Sequence, residues 1–160
     1  MSKTKNTLFM ETTEVPAERT AAEISSVLIR GGATQIATEY EAGRIVGLRW
    51  TMRVYGRDIL FAMPARVEPI YQILAKRRDS ANGDQWFSSD LKASMRAKAT
   101  RVAWRQLLRW TQAQLAMIDC GMAEPSEVFL PYLQTGSGQS LFEVFKGSEF
   151  KQLPAPEKPQ

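Results

Sequence analysis

The chain contains no histidine. That removes the usual general base at neutral pH, the commonest metal ligand and every Ser-His or Cys-His nucleophile arrangement. Cysteine occurs once, at Cys120, so no intramolecular disulfide can form and a reducing compartment is the expected setting. With no imidazole to activate it, Cys120 is read as a small buried thiol. No apolar run approaches the roughly 18 residues of a membrane span. The opening Met-Ser-Lys-Thr-Lys-Asn leads into no apolar stretch, which argues against a signal peptide and for a cytoplasmic protein. Gly31-Gly32 lacks the Lys-Ser/Thr of a phosphate loop, and Asp79-Ser80-Ala81-Asn82-Gly83-Asp84 is no calcium loop, having Ala third and no Glu twelfth. Carboxylates show no paired-acid pattern. A non-enzymatic protein with no metal and no cofactor is the expectation.

One more absence points the other way. Between Asp90 and Asp119 there is no acidic residue, while Lys92, Arg96, Lys98, Arg101, Arg105 and Arg109 fall inside what reads as one long helix. At about 100° per residue, Lys98, Arg101, Arg105 and Arg109 share an arc of roughly 80°. Exposed helices usually interleave Glu with Lys, whereas here like charges repel at i,i+4. Something acidic must compensate, either an external polyanion or the acidic C-terminal segment of the chain itself.

What is present fits one ordinary domain. At 160 residues, 44% apolar and 24% charged, the chain is long and apolar enough to bury a core. The net charge of +4 is unevenly spread: residues 64–122 hold ten Lys/Arg against five Asp/Glu, and residues 123–160 hold three against five. Such asymmetry suits nucleic-acid binding without requiring it. Residues 1–12 are polar and aperiodic and are read as a mobile segment, 13–150 as a single α+β domain, and 151–160, with three prolines, as a disordered tail.

Ala17, Ala21, Ile24 and Leu28 recur at helical spacing after Pro16, and Gly31-Gly32 ends the helix at residue 30. Three strands follow. Val46, Leu48, Trp50 and Met52 alternate with Gly47, Arg49, Thr51 and Arg53. A two-residue turn at Tyr55-Gly56 sets Arg53 against Asp58, Met52 against Ile59, Trp50 against Phe61 and Leu48 against Met63, so turn length and both faces agree. Upstream, Thr34–Tyr40 joins through Glu41-Ala42-Gly43, read as a three-residue connection that places Tyr40 opposite Arg44 and Ile36 opposite Leu48. The result is a three-stranded antiparallel meander whose apolar face needs flanking helices. A second helix from Val67 closes on Lys76-Arg77-Arg78, where cations suit the helix dipole. The third spans roughly 90–120, capped by Ser89 or Asp90, with Trp104, Leu107, Thr111, Leu115, Ile118 and Met122 as its apolar stripe. A capping box at Ser140–Glu143 opens a last short helix.

The functional reading is therefore a surface. Lys98, Arg101, Arg105 and Arg109 could neutralise phosphates, against the plainer reading of a solvated helix face. Arg49 and Arg53, on the sheet face away from the core, are second candidates, unless Arg53 simply pairs with Asp58. Trp104 belongs to the core stripe, so Trp110 or the loop residue Trp86 would be the tryptophan to meet a ligand. A nucleic-acid-binding accessory role is the leading expectation, with DNA ahead of RNA. The rival is a protein-interaction module, a homo-oligomer or an inhibitor of a host protein, whose basic helix meets an acidic protein surface.

Two resemblances bear on this. The helix–strand–strand–strand–helix order over residues 16–78 resembles double-stranded-RNA-binding domains in outline. Pro64-Ala65-Arg66-Val67-Glu68-Pro69 replaces the Lys-rich start of their second helix, which argues against duplex RNA as ligand. Glu18–Ile24, Gly56–Phe61, Trp104–Leu108 and Glu127–Pro131 are similar to a family of small uncharacterised proteins of phages and prophages, over about residues 16–146. That resemblance implies a phage setting and transfers no function or site.

Overall fold

The computed structural model describes residues 7–82 and 88–151. In chain order the elements are α1 (Ala17–Arg30), β1 (Ala33–Glu41), β2 (Arg44–Val54), β3 (Arg57–Pro64), α2 (Glu68–Asn82), α3 (Ser89–Asp119), α4 (Pro125–Phe129), a 3₁₀ turn (Leu130–Tyr132) and α5 (Leu141–Gly147). The three strands form one antiparallel sheet in the order β1-β2-β3. The class is α+β, a meander with flanking helices.

The β2–β3 pairing has the register that parity and turn length dictate, with Trp50 opposite Phe61, Leu48 opposite Met63 and Arg53 opposite Asp58. Tyr55 and Gly56 both take positive φ, 48° and 76°, as the two-residue turn requires. The β1–β2 pairing departs from expectation. Its turn also has two residues, Ala42 and Gly43 at φ 48° and 73°, so Glu41 faces Arg44 and Tyr40 faces Ile45. An irregularity between Glu39 and Tyr40 then carries the pairing on to Thr38 with Leu48 and Ile36 with Trp50. The slip is two residues. Because strand faces alternate with period two, the core face from Leu48 to Met52 is unchanged, but before the irregularity Ile45, not the expected Val46, is the buried residue.

Gly47 lets the strands close tightly. A Cβ there would lie 3.0 Å from the Met63 carbonyl oxygen and 3.1 Å from Glu39 Oε2. Glu39 thus reaches across the outer sheet face toward the end of β3.

α1 and the second half of α3 cover the inner face. Trp50 stacks on Phe61 at 5.6 Å and meets Phe129 edge-on at 5.3 Å, with Leu48, Ile24, Leu28 and Trp104 fully buried around them. Thr111, within the apolar stripe, is buried because its hydroxyl donates to the Leu107 carbonyl at 2.8 Å. A second cluster joins Ile70 and Leu74 of α2 to Met95, Ala99, Val102 and Ala103 in the first half of α3. α3 therefore serves two cores, and it is enclosed between α1 and α2 where the sheet alone could not cover it.

Four readings need correction. Ser88, not Ser89 or Asp90, caps α3 by accepting the Leu91 N–H at 3.3 Å. Met122 lies past the helix and is 71% exposed, because α3 ends at Asp119. Lys76–Arg78 do not close α2, which runs on to Asn82, so the dipole does not account for them. Cys120 is exposed at the C-cap of α3. Trp86 and residues 1–6, 83–87 and 152–160 lie outside the described residues.

Replacing Gly47 with Ala should destabilise the protein by about 1–3 kcal/mol, since the new methyl meets backbone that cannot swing aside. The check is a lowered urea midpoint with an unchanged m-value.

Candidate functional site

α1 and α3 run parallel, as successive contacts show: Glu23 meets Arg105, and eight residues on, Gly31 abuts Leu115. The extended residues before α1 continue the same line against α3. In consequence the basic row does not face solvent unpaired. Arg105 Nη1 donates to Glu23 Oε2 at 2.8 Å, and the Arg105 side chain is only 14% exposed. Arg101 lies 3.7 Å from Glu14 and donates to the Thr13 carbonyl at 3.4 Å. Lys98 Nζ lies 3.6 Å from Glu11.

The acid that compensates the row thus comes from the N-terminal side, not from the C-terminal segment that composition suggested. The physical reason is reach: α1 packs alongside α3 and brings Glu23 with it, whereas Glu124, in the C-terminal segment, accepts the Tyr55 hydroxyl at the far hairpin. Residues 7–12, placed outside the domain on composition, form a turn held to the helices. The Phe9 carbonyl accepts from Gln106 at 2.9 Å, and Glu11 accepts from the Leu8 N–H at 2.7 Å and from Arg77 at 2.9 Å. Burial alone would raise the Glu11 carboxyl. The Leu8 N–H, Arg77 and Lys98 outweigh that and hold it below its ordinary value of 4.5.

The second candidate surface is likewise engaged. Arg49 pairs with Glu39, and Arg53 lies 3.6 Å from Asp58 across the hairpin. The Arg53 pairing is the one that strand register foretold.

Arg109 differs from the rest of the row. It is exposed, its guanidinium donates to Gln112 Oε1 at 3.0 Å, and it has no carboxylate partner among the described residues. It lines an open cleft of about 1020 Å³ between α3, the end of β3 and the C-terminal segment. Arg66, just past β3, lines the same cleft, with its guanidinium 5.7 Å from the Phe142 ring centroid. Trp110 and Tyr132 stand edge-to-face at 5.4 Å on the wall. Gln106, Gln134 and Ser140 add neutral polar groups.

Two carboxylates also line the cleft, and both are committed. Glu39 is held by Arg49. Glu143 accepts the Ser140 N–H at 2.7 Å in the α5 capping box, and the Ser140 backbone and hydroxyl, with smaller contributions from the charges of Arg66 and Lys146, hold it below its ordinary range. The cleft therefore presents two guanidinium groups beside aromatic surface. Sequence reading named Arg109 and Trp110 individually but had no means of joining them to Arg66, some forty positions earlier. Among the described residues no group of three or more potential metal ligands occurs, and no described helix is long and apolar enough to cross a membrane.

Comparison with protein-family models, curated proteins and solved structures finds no match.

Two outcomes follow from the pairing of the row. Arg105→Ala should cost about 1–3 kcal/mol, from the lost charge-assisted bond and the packed aliphatic stem, while Arg109→Ala should stay within about 0.5 kcal/mol; urea denaturation of both variants tests the contrast. A carboxyl whose pKa is lowered on folding stabilises fully above its unfolded value and loses that contribution as pH falls through the folded one. Stability should therefore fall below about pH 4.5 partly through Glu11, and the gap between wild type and Glu11→Gln should narrow as urea midpoints are followed down to about pH 3.

Proposed function

We propose that this chain is a non-enzymatic nucleic-acid-binding accessory protein that holds a single strand in the cleft between α3 and β3. The observation that carries this reading is that Arg66, Arg109, Trp110, Tyr132 and Phe142 line one cleft. Guanidinium groups beside aromatic faces are what a single strand needs, phosphates on the first and bases on the second. Lys98, Arg101 and Arg105 support it less, because a cation already held by a carboxylate of its own chain must give that up to take a phosphate. A duplex, which presents phosphates along a broad surface, calls for a row in the open. The phage setting implied by sequence resemblance puts DNA ahead of RNA. A protein-interaction role is favoured by a different observation, the uncovered outer edge of β1, taken up below.

Fluorescence anisotropy with a labelled single-stranded oligonucleotide and its duplex, titrated across salt concentrations, tests the proposal. Single strands should bind more tightly. Arg66→Gln and Arg109→Gln should each reduce the log–log salt slope by about 1, while Lys98→Gln and Arg101→Gln leave it unchanged. Binding that is absent at low salt, or indifferent to both cleft variants, would overturn the reading.

A further inference from the structure

The two edges of the sheet are not treated alike. Beyond β3, Leu133 makes an antiparallel bridge to Phe61, and the Gln134 N–H donates to the Leu60 carbonyl at 2.8 Å. Beyond β1 nothing among the described residues hydrogen-bonds to the backbone. β1 is nine residues long, or about 30 Å. Its regular centre, residues 35–39, contains no proline, no lysine and no bulge; its one charge, Glu39, is held by Arg49 of β2, and the irregularities lie at either end.

Two exposed apolar side chains lie on the elements next to this edge. Tyr40 has the parity of the core face, yet it is 61% exposed. Ile29 is 60% exposed on α1, which packs chiefly against α3 and, within the sheet, meets β1 more than β2. Around the α1 axis Ala22, Ser25 and Ile29 stand roughly 100–160° from Glu23, the residue turned toward α3. This flank is turned away from α3.

We infer that β1 is a dimerisation edge, at which a second copy of this chain pairs antiparallel about a two-fold axis at Ala37 to make one continuous six-stranded sheet. The strand is self-complementary in that register. Ala37 faces its own mate, Ile36 faces Thr38, Thr34 faces Tyr40, Gln35 faces Glu39, and Ala33 faces Glu41. Parity is kept, so both core faces lie on one side and the two α1 flanks approach each other with small side chains and Ile29 between them. No carboxylate faces a carboxylate. In this register the regular stretch 35–39 pairs with itself, and the end irregularities fall outside it.

Sedimentation velocity at tens of micromolar should give twice the 18.0 kDa chain mass. Ala37→Lys, at an exposed position, sets two like charges opposite each other and should give a folded monomer, with the fold checked by circular dichroism. In a Cys120→Ser background, Ala37→Cys should form an intermolecular disulfide on mild oxidation. Gln35→Cys should not, since its mate lies roughly 13 Å away along the strands, beyond disulfide reach. A monomeric wild type would overturn the inference and leave the edge to another protein's strand. A dimer that Ala37→Lys leaves intact would overturn it too, by placing the interface elsewhere.

Discussion

Helix α3 carries charge of one sign from Lys92 to Arg109, and much of the fold is arranged around neutralising it. A helix with cations at i, i+4 and i+8 on one face is unfavourable alone, and burying that face against another helix would be worse unless carboxylates came with it. α1 and the residues before it supply them in order, Glu11, Glu14 and Glu23 against Lys98, Arg101 and Arg105. This sets the parallel alignment of α1 on α3. With α1 so placed, Ile24 and Leu28 fall on the sheet, and Leu115 seats against Gly31 where no side chain intervenes. Electrostatic pairing on one flank and apolar burial on the other thus select the same register between the helices.

How much of this was legible depends on the sequence distance over which each feature is decided. The β2–β3 hairpin was readable in full because Tyr55-Gly56 and the alternation from Leu48 to Met63 impose one answer within sixteen residues. The β1–β2 hairpin was readable in its faces but not in its register. Ala42 adopts positive φ, which a non-glycine residue seldom does, so the turn contains one residue fewer than the sequence suggests. The acid-free stretch correctly announced that α3 needs a partner. It could not name one, since Glu23 lies 82 positions from Arg105 and nothing local links them.

The cleft was invisible for a related reason. Its wall is assembled from α3, which supplies five residues, and from the end of β3, the 3₁₀ turn and α5, which supply two each with no shared spacing. Arg109 and Trp110 are neighbours in sequence, yet their common relation to Arg66 exists only because the C-terminal segment returns to bridge β3. That return also explains why the acidic C-terminal third is not spent on the basic row. Its carboxylates are used locally, Glu127 and Glu143 in capping boxes and Glu124 on Tyr55.

The return of the C-terminal segment has a further consequence for the sheet. By bridging the β3 edge it leaves β1, among the described residues, as the unpaired side of the sheet, and it builds the cleft over the end of β3, where Glu39 is the β1 residue that reaches it. The two surfaces are separable on physical grounds. Binding in the cleft, as proposed, would use guanidinium groups and aromatic rings, so it should weaken with salt. The β1 edge would work through backbone hydrogen bonds in a strand whose only charges, Glu39 and Glu41, face the neutral Gln35 and Ala33 of the mate, so salt should leave it largely untouched. A protein whose anion binding weakens with ionic strength while its self-association does not would be using both, and pairing across β1 would present two clefts on one assembly. If each cleft holds a single strand as proposed, linking the two in this way would raise the effective concentration of the second once the first is occupied, without any new contact.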